Sequence, residues 1–234
     1  MRTLGRLGVD VFAVTEDRFT PTAVSRYLRK RFSWASKLGT PADELVAGLN
    51  DIGAQIGTQS VLVPTDDEAA VLIAEHAAEL RERFLMPAVP ADLPRRLASK
   101  FGLAELCHAH GAPAPESRSP QRVADVVAMA TDIGFPVVLK NDPPWERLAN
   151  PAVIGTTVIR NAEELDRVTD TWDPMPSVVL QEYLPRDFAQ DWIVHVYCAR
   201  DGETVVAFTG FKVRSWRPYA GVTAVACSGP TRRS

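Results

Sequence analysis

Two short apolar runs constrain this chain more than any other feature: Phe135-Pro-Val-Val-Leu-Lys140 and Val178-Val-Leu-Gln-Glu-Tyr-Leu184. Each is rich in β-branched and aliphatic residues and ends in polar groups, so each reads as a buried strand. The first delivers Lys140 at its end, where full burial of a charge would be costly. The second delivers Gln181, Glu182, Tyr183 and Leu184 before Pro185 takes the chain out of the sheet. A cation at one strand end and a backbone hinge at another suit a nucleotide lying between two sheets. The lysine would meet phosphates, and hinge N–H and C=O groups would meet the adenine edge.

At 234 residues the chain can form one large domain or two modest ones, with no staple needed to hold a core. Charged residues at 24% and a net charge of −3 give no support to nucleic-acid binding. No apolar run is long enough for a transmembrane helix, and the first residues lack the apolar core of a signal peptide. The three scattered cysteines, Cys107, Cys198 and Cys227, read as reduced thiols of a cytoplasmic protein. Cys107-His108-Ala-His110 is a poor metal site on a helix, because residues two apart do not share a face.

Strands and helices alternate along the front. Residues 2–8 read as the end of a helix capped by Gly8, 9–14 as a strand, and the basic stretch 21–32 as a helix. Thr40 and Pro41 open a helix to about Gln55, 60–63 is a short strand, and Asp66 starts a helix with Ala69, Ile73, Ala77 and Leu80 on one face. The alternation implies a parallel α/β sheet. A proline-rich connector, 87–94, divides the chain into residues 1–90 and 91–234. Beyond it the pattern predicts helices over 98–110 and from Ser119-Pro120 to Gly134, a strand over 153–159, and a helix capped by Asn161. A hairpin of 192–199 and 204–211 around Asp201-Gly202 follows, then a strand over 221–227.

Several ordered motifs then carry a family resemblance. They are Ser99-Lys100 with Gly111-Ala-Pro-Ala-Pro115, Gly134-Phe-Pro-Val-Val-Leu-Lys140, Gln181-Glu-Tyr-Leu-Pro185, and Phe208-Thr-Gly-Phe-Lys212-Val-Arg214 followed by Trp216, Pro218 and Gly221. Together they resemble the ATP-grasp superfamily, particularly its carboxylate–amine ligase branch. The front segment Leu4–Val14 is similar to the middle of the α/β domain that precedes the ATP-grasp domain in such ligases. The resemblance implies an α/β protein: a partial Rossmann-like pre-ATP-grasp domain over 1–90, then an incomplete ATP-grasp domain of two α+β subdomains over 91–234.

It also implies a reaction, in which ATP phosphorylates a carboxylate and an amine or amino acid attacks the acylphosphate. Lys100 and Lys140 would contact phosphates, and Gln181, Glu182, Tyr183 and Leu184 would frame adenine, with Val138 or Leu180 as apolar walls. Asp191 would accept from the ribose hydroxyls. Lys212 and Arg214, on alternate positions of one strand, would face the transferred phosphate or the substrate carboxylate as catalytic groups. Partners would be small molecules, with neither nucleic acid nor membrane, and a homodimer is compatible with the resemblance.

Two departures stand out. The stretch Asn141-Asp-Pro-Pro-Trp-Glu146 has no glycine where many ATP-grasp proteins carry a glycine-rich flap. The family holds Mg²⁺ with late acidic residues, yet after Asp191 only Asp201 and Glu203 are acidic, so no metal ligand is assigned. The expectation is therefore a piece of a longer ligase, without the first strand and the late metal-binding part. The alternatives are a nucleotide-binding fragment or degenerate relative without turnover, and a subunit completed by a partner.

Overall fold

The structure, a computed structural model, describes residues 1–34, 39–145, 148, 150–185, 187, 189–216 and 222–229. Pro218, Gly221 and the last residues, 230–234, fall outside the described set. The chain divides into two compact units, Met1–Arg95 with Trp145–Ala149, and Arg96–Pro144 with Asn150–Ser234.

The first unit begins with a short helix, α1 (Arg2–Arg6), followed by β1 (Phe12–Thr15), a 3₁₀ turn at Pro21–Val24 and β2 (Lys30–Ser33). The helix expected over 21–32 is not formed. Ser25 is extended, and β2 pairs in parallel with β1, which buries Phe32 against the ring of Phe12. Leu28 and Phe32 have helical spacing, but strand pairing satisfies more backbone groups than the isolated turn would.

Next come α2 (Ala42–Ile56), β3 (Ser60–Val61), α3 (Asp67–Glu75), α4 (Ala77–Leu80) and β4 (Phe84–Leu85). Gly57 ends α2 in the left-handed conformation, with φ 77°. Asp66 caps α3 by accepting from Ala69 N–H at 2.8 Å. The helix expected to continue from Asp66 through Leu80 breaks at His76, whose ring nitrogen lies 2.8 Å from Glu79. Val46, Leu49, Ile73, Leu80 and Phe84 make the core of this unit. β3 pairs in parallel with β4, so the strands of the front are parallel as the alternation implies. They form two separate pairs, and no single sheet joins them among the described residues.

α5 (Leu93–Ala98) spans the division, and α6 (Lys100–Ala109), capped by Ser99, forms where the helix over 98–110 was expected. The second unit continues with β5 (Ser117–Arg118), α7 (Val123–Ile133), β6 (Val137–Asn141), β7 (Thr157–Ile159), α8 (Ala162–Thr169) and β8 (Val178–Glu182). These strands form a four-stranded antiparallel sheet in the order β5-β8-β6-β7. One face carries Val137, Leu139, Val178 and Leu180, which pack with Val126 and Ala130 of α7 and Leu165 of α8. Both apolar runs that opened the sequence are therefore central strands. The strand expected from Val153 starts only at Thr157, and Val153 is instead a buried loop residue of the same core.

A second, three-stranded antiparallel sheet follows, β9 (Trp192–Cys198), β10 (Thr204–Trp216) and β11 (Val222–Ser228), with β10 in the middle. It keeps large apolar side chains exposed, among them Trp192, Val194, Val196, Tyr197 and Phe208.

Candidate functional site

The register of the four-stranded sheet decides what surrounds Lys140. Directly paired residues share a face, so Lys140 and Val138 of β6 lie on one side with Val179 and Gln181 of β8 and Ser117 of β5. The helices α7 and α8 pack against the opposite side, which is where Leu180 points. Val138 is thus the apolar neighbour of Lys140, and Leu180 is a core residue rather than a wall.

On the Lys140 face the polar side chains form a continuous chain of hydrogen bonds. Lys140 Nζ donates to Gln181 Oε1 at 2.8 Å, and Gln181 Nε2 donates to Ser117 Oγ at 2.8 Å. The Ser117 hydroxyl donates to the Pro115 carbonyl at 3.0 Å. Burial holds the Lys140 ammonium below the ordinary lysine pKa, and the positive charge of Lys100 lowers it further. The Lys100 charge thus acts on the Lys140 ammonium, an arrangement that an anion between them would relieve.

Lys100 is the first residue of α6, and its position is set from both sides. Ser99 caps the helix, its Oγ accepting from Gly102 N–H at 3.1 Å and donating to Asp142 Oδ2 at 3.2 Å. Asp142 follows β6 directly, so the segment that carries Lys140 also anchors the helix start that carries Lys100. The other carboxylate oxygen, Asp142 Oδ1, is buried without a hydrogen-bond partner among the described residues. Gly102 permits the close approach of α5, since a Cβ there would lie 2.9 Å from the Arg96 carbonyl oxygen.

The hinge leaves the sheet as expected. Glu182 N–H donates to the Glu116 carbonyl at 2.8 Å, and Glu116 N–H donates back to Glu182 Oε2 at 3.2 Å. Beyond that point the strand ends. The N–H groups of Tyr183 and Leu184 donate to no backbone carbonyl among the described residues, and Leu184 is half exposed. Backbone donors of this kind beside Val138 suit the edge of a planar heterocycle.

The remaining expected residues form a second group. Lys212 N–H donates to the Asp191 carbonyl at 2.8 Å, and Lys212 Nζ lies 3.5 Å from Asp191 Oδ2. Asp191, expected on a ribose, is therefore also the counter-ion of Lys212. Lys212 pairs with Ala226 of β11 while Arg214 pairs with Val225, a one-residue shift in register. A second shift follows between Arg214 and Ser215, so β10 departs from simple alternation in the stretch that carries both residues. Trp145, in the stretch without glycine, lies under the Arg95 guanidinium at 4.9 Å.

No three His, Cys, Asp or Glu side chains among the described residues converge on a point that could hold a metal ion. Asp142 is bonded to Ser99 through one of its oxygens, and Asp191 lies beside Lys212. No helix among the described residues is long and apolar enough to cross a membrane.

No family model and no curated protein matches the chain. Solved structures do. An L-amino acid ligase from Bacillus licheniformis superposes with a TM-score of 0.69 at 14% identity, over 99% of this chain and 51% of that one. N5-carboxyaminoimidazole ribonucleotide synthetase from Thermus thermophilus gives 0.62 at 17% identity, over 92% and 52%. The biotin carboxylase domain of 2-oxoglutarate carboxylase from Hydrogenobacter thermophilus, solved with MgADP and bicarbonate, gives 0.62 at 17% identity, over 92% and 48%.

The fold is the ATP-grasp fold. At these identities the likeness concerns the fold alone, and the chain spans about half the length of the solved chains it matches. Sequence motifs singled out Lys100, Lys140 and the hinge residues, but not the hydrogen bonds that Ser117, Asp142 and the Gln181 side chain make around them. The available signal for Ser117 was its place two residues after Pro115, where a short edge strand meets the hinge strand.

Proposed function

We propose that this chain binds ATP, with the phosphates at Lys100 and Lys140 and the adenine at the Gln181–Leu184 hinge. The observation that carries the reading is that the Lys100 charge acts on Lys140, while the neighbouring strand ends in Tyr183 and Leu184 N–H groups with no backbone acceptor among the described residues. A polyphosphate relieves the repulsion, and its charge compensates the half-buried Lys140 ammonium.

Within that reading the chemistry is that of a carboxylate–amine ligase. The terminal phosphoryl group passes from ATP to a carboxylate oxygen, ADP leaves, and an amine nitrogen then displaces phosphate from the acyl carbon. The lysines hold the phosphates in line and neutralise part of their charge, which is most of what a protein contributes to phosphoryl transfer. Lys212 and Arg214, both in β10, are our candidates for the substrate side. Support comes from the ATP-grasp fold, the solved ligases that share it, and the lysine–hinge geometry.

The test is calorimetric titration with ATP and ADP, beside an assay of ADP release with mixed amino acids and Mg²⁺. Nucleotide binding that Lys140→Ala abolishes supports the site, and ADP release dependent on an amino acid supports the ligase chemistry. A folded wild-type sample that binds no nucleotide removes the reading.

A further inference from the structure

Resting on the nucleotide reading above, we propose that Ser117 and Gln181 are positioning residues that fix the direction of the Lys140 ammonium toward its anion. The argument is one of hydrogen-bond polarity. An ammonium can only donate, so the Gln181 atom facing it at 2.8 Å must be the amide oxygen. The amide nitrogen must then face Ser117, whose Oγ accepts at 2.8 Å. With its lone pair committed, the Ser117 hydroxyl has its proton free for the Pro115 carbonyl at 3.0 Å.

Each role in the chain follows from the one before it. A flipped amide would set its NH₂ group against the ammonium and leave two donors face to face. The orientation of Gln181, ordinarily a matter of assignment, is thus determined by its neighbours.

The consequence for Lys140 is directional. Gln181 is buried and Ser117 half-buried, so the acceptor presented to Nζ is held in one place. One of the three ammonium protons is committed to it. The other two have no acceptor among the described residues. Because the acceptor is a neutral amide, it orients the ammonium without neutralising it, and the full positive charge stays available to a ligand. A carboxylate at position 181 would instead form an ion pair with Lys140 and compete with phosphate.

The other charged groups on the surrounding elements do not replace this arrangement. Lys100 of α6 repels Lys140, Glu116 bonds Arg118 beside Ser117, and Asp142 bonds Ser99. Glu182, at the end of β8, accepts from Glu116 N–H.

The experiment follows the Lys140 Nζ resonance through a pH titration of the ligand-free protein, then measures ADP affinity by calorimetry in the same variants. Ser117→Ala lets the Gln181 amide rotate, lowers the Lys140 pKa below its wild-type value and weakens ADP binding about tenfold, equivalent to about 1.4 kcal/mol. Ser117→Thr keeps the hydroxyl and restores both. Gln181→Glu raises the Lys140 pKa and also weakens ADP binding. A Lys140 titration that is the same in folded Ser117→Ala and wild type overturns the inference. So does equal weakening of ADP binding by Ser117→Ala and Ser117→Thr, which marks packing rather than positioning. If wild type binds no ADP while the Lys140 titration responds as described, the nucleotide reading fails and the orientation of the ammonium stands.

Discussion

Asn141 holds the backbone of Val153 by two hydrogen bonds of opposite sense: its Nδ2 donates to the Val153 carbonyl at 2.6 Å, and its Oδ1 accepts from Val153 N–H at 3.2 Å. The pair closes the irregular stretch between Lys140 and β7 and seats the Val153 side chain in the core. In a stretch that carries no glycine, a side-chain amide therefore imitates a strand partner at the end of β6. The lysine-bearing strand is fixed at its exit.

Asn141→Ala removes both bonds and leaves a buried N–H and C=O with no partner. The cost expected is ~1–3 kcal/mol, the range for orphaning buried polar groups. Urea denaturation measures it, and faster hydrogen exchange at the Val153 amide distinguishes loss of the clamp from a general loosening.

Gly102→Ala sets helix propensity against packing. Alanine favours a helix interior over glycine by about 1 kcal/mol. Its Cβ would lie 2.9 Å from a backbone oxygen of α5, which cannot turn aside as a side chain can. Packing wins, with a loss of ~1–3 kcal/mol. Displacement of the α6 start also moves Lys100, so ADP affinity falls along with the denaturation midpoint, and calorimetry on the folded variant reads that second effect.

Much of this site was legible because strand pattern and site position are coupled. Two aliphatic runs predicted β6 and β8, and their ends carried Lys140 and the hinge. The reason is physical: buried strands must be apolar, and polar groups collect where they emerge. What could not be read was register. Whether Gln181 faces Lys140 or the core depends on which residues pair across strands, and the two register shifts around Arg214 in β10 have no signal in an alternating pattern. The helix expected over 21–32 failed for a related reason, since the partner strand that claims Phe32 is nearly twenty residues upstream.

The three-stranded sheet presents Trp192, Val194 and Val196 on one face of β9, all about half exposed. A contiguous apolar surface of this kind promotes association. Val194→Thr with Val196→Thr keeps β-branched side chains and strand geometry while removing methyl surface. The expected result is less binding of a hydrophobic dye and less light scattering at high concentration. The denaturation midpoint should hold within about 0.5 kcal/mol, as for exposed substitutions elsewhere.

Lys140 makes stability depend on alkaline pH in a direction opposite to that of a paired lysine. Its folded pKa is lowered, by burial first and by Lys100 second, beneath the ordinary value of 10.5. Between the two values the unfolded chain binds more protons than the folded one, so stability rises with pH across that window. Below the folded pKa the cost of the buried charge is fully present, and above 10.5 it is gone. Lys140→Gln removes the titration, so the wild-type minus variant difference in denaturation free energy climbs as pH rises toward 10.5. On the proposed nucleotide reading affinity moves the other way, because the ammonium that destabilises the free protein would be the group that meets phosphate. ADP binding by wild type weakens as Lys140 loses its proton, while the weaker binding of Lys140→Gln stays flat over the same window. A difference curve that falls with pH, or an ADP affinity independent of it, would show that Lys140 is neither desolvated nor the phosphate contact.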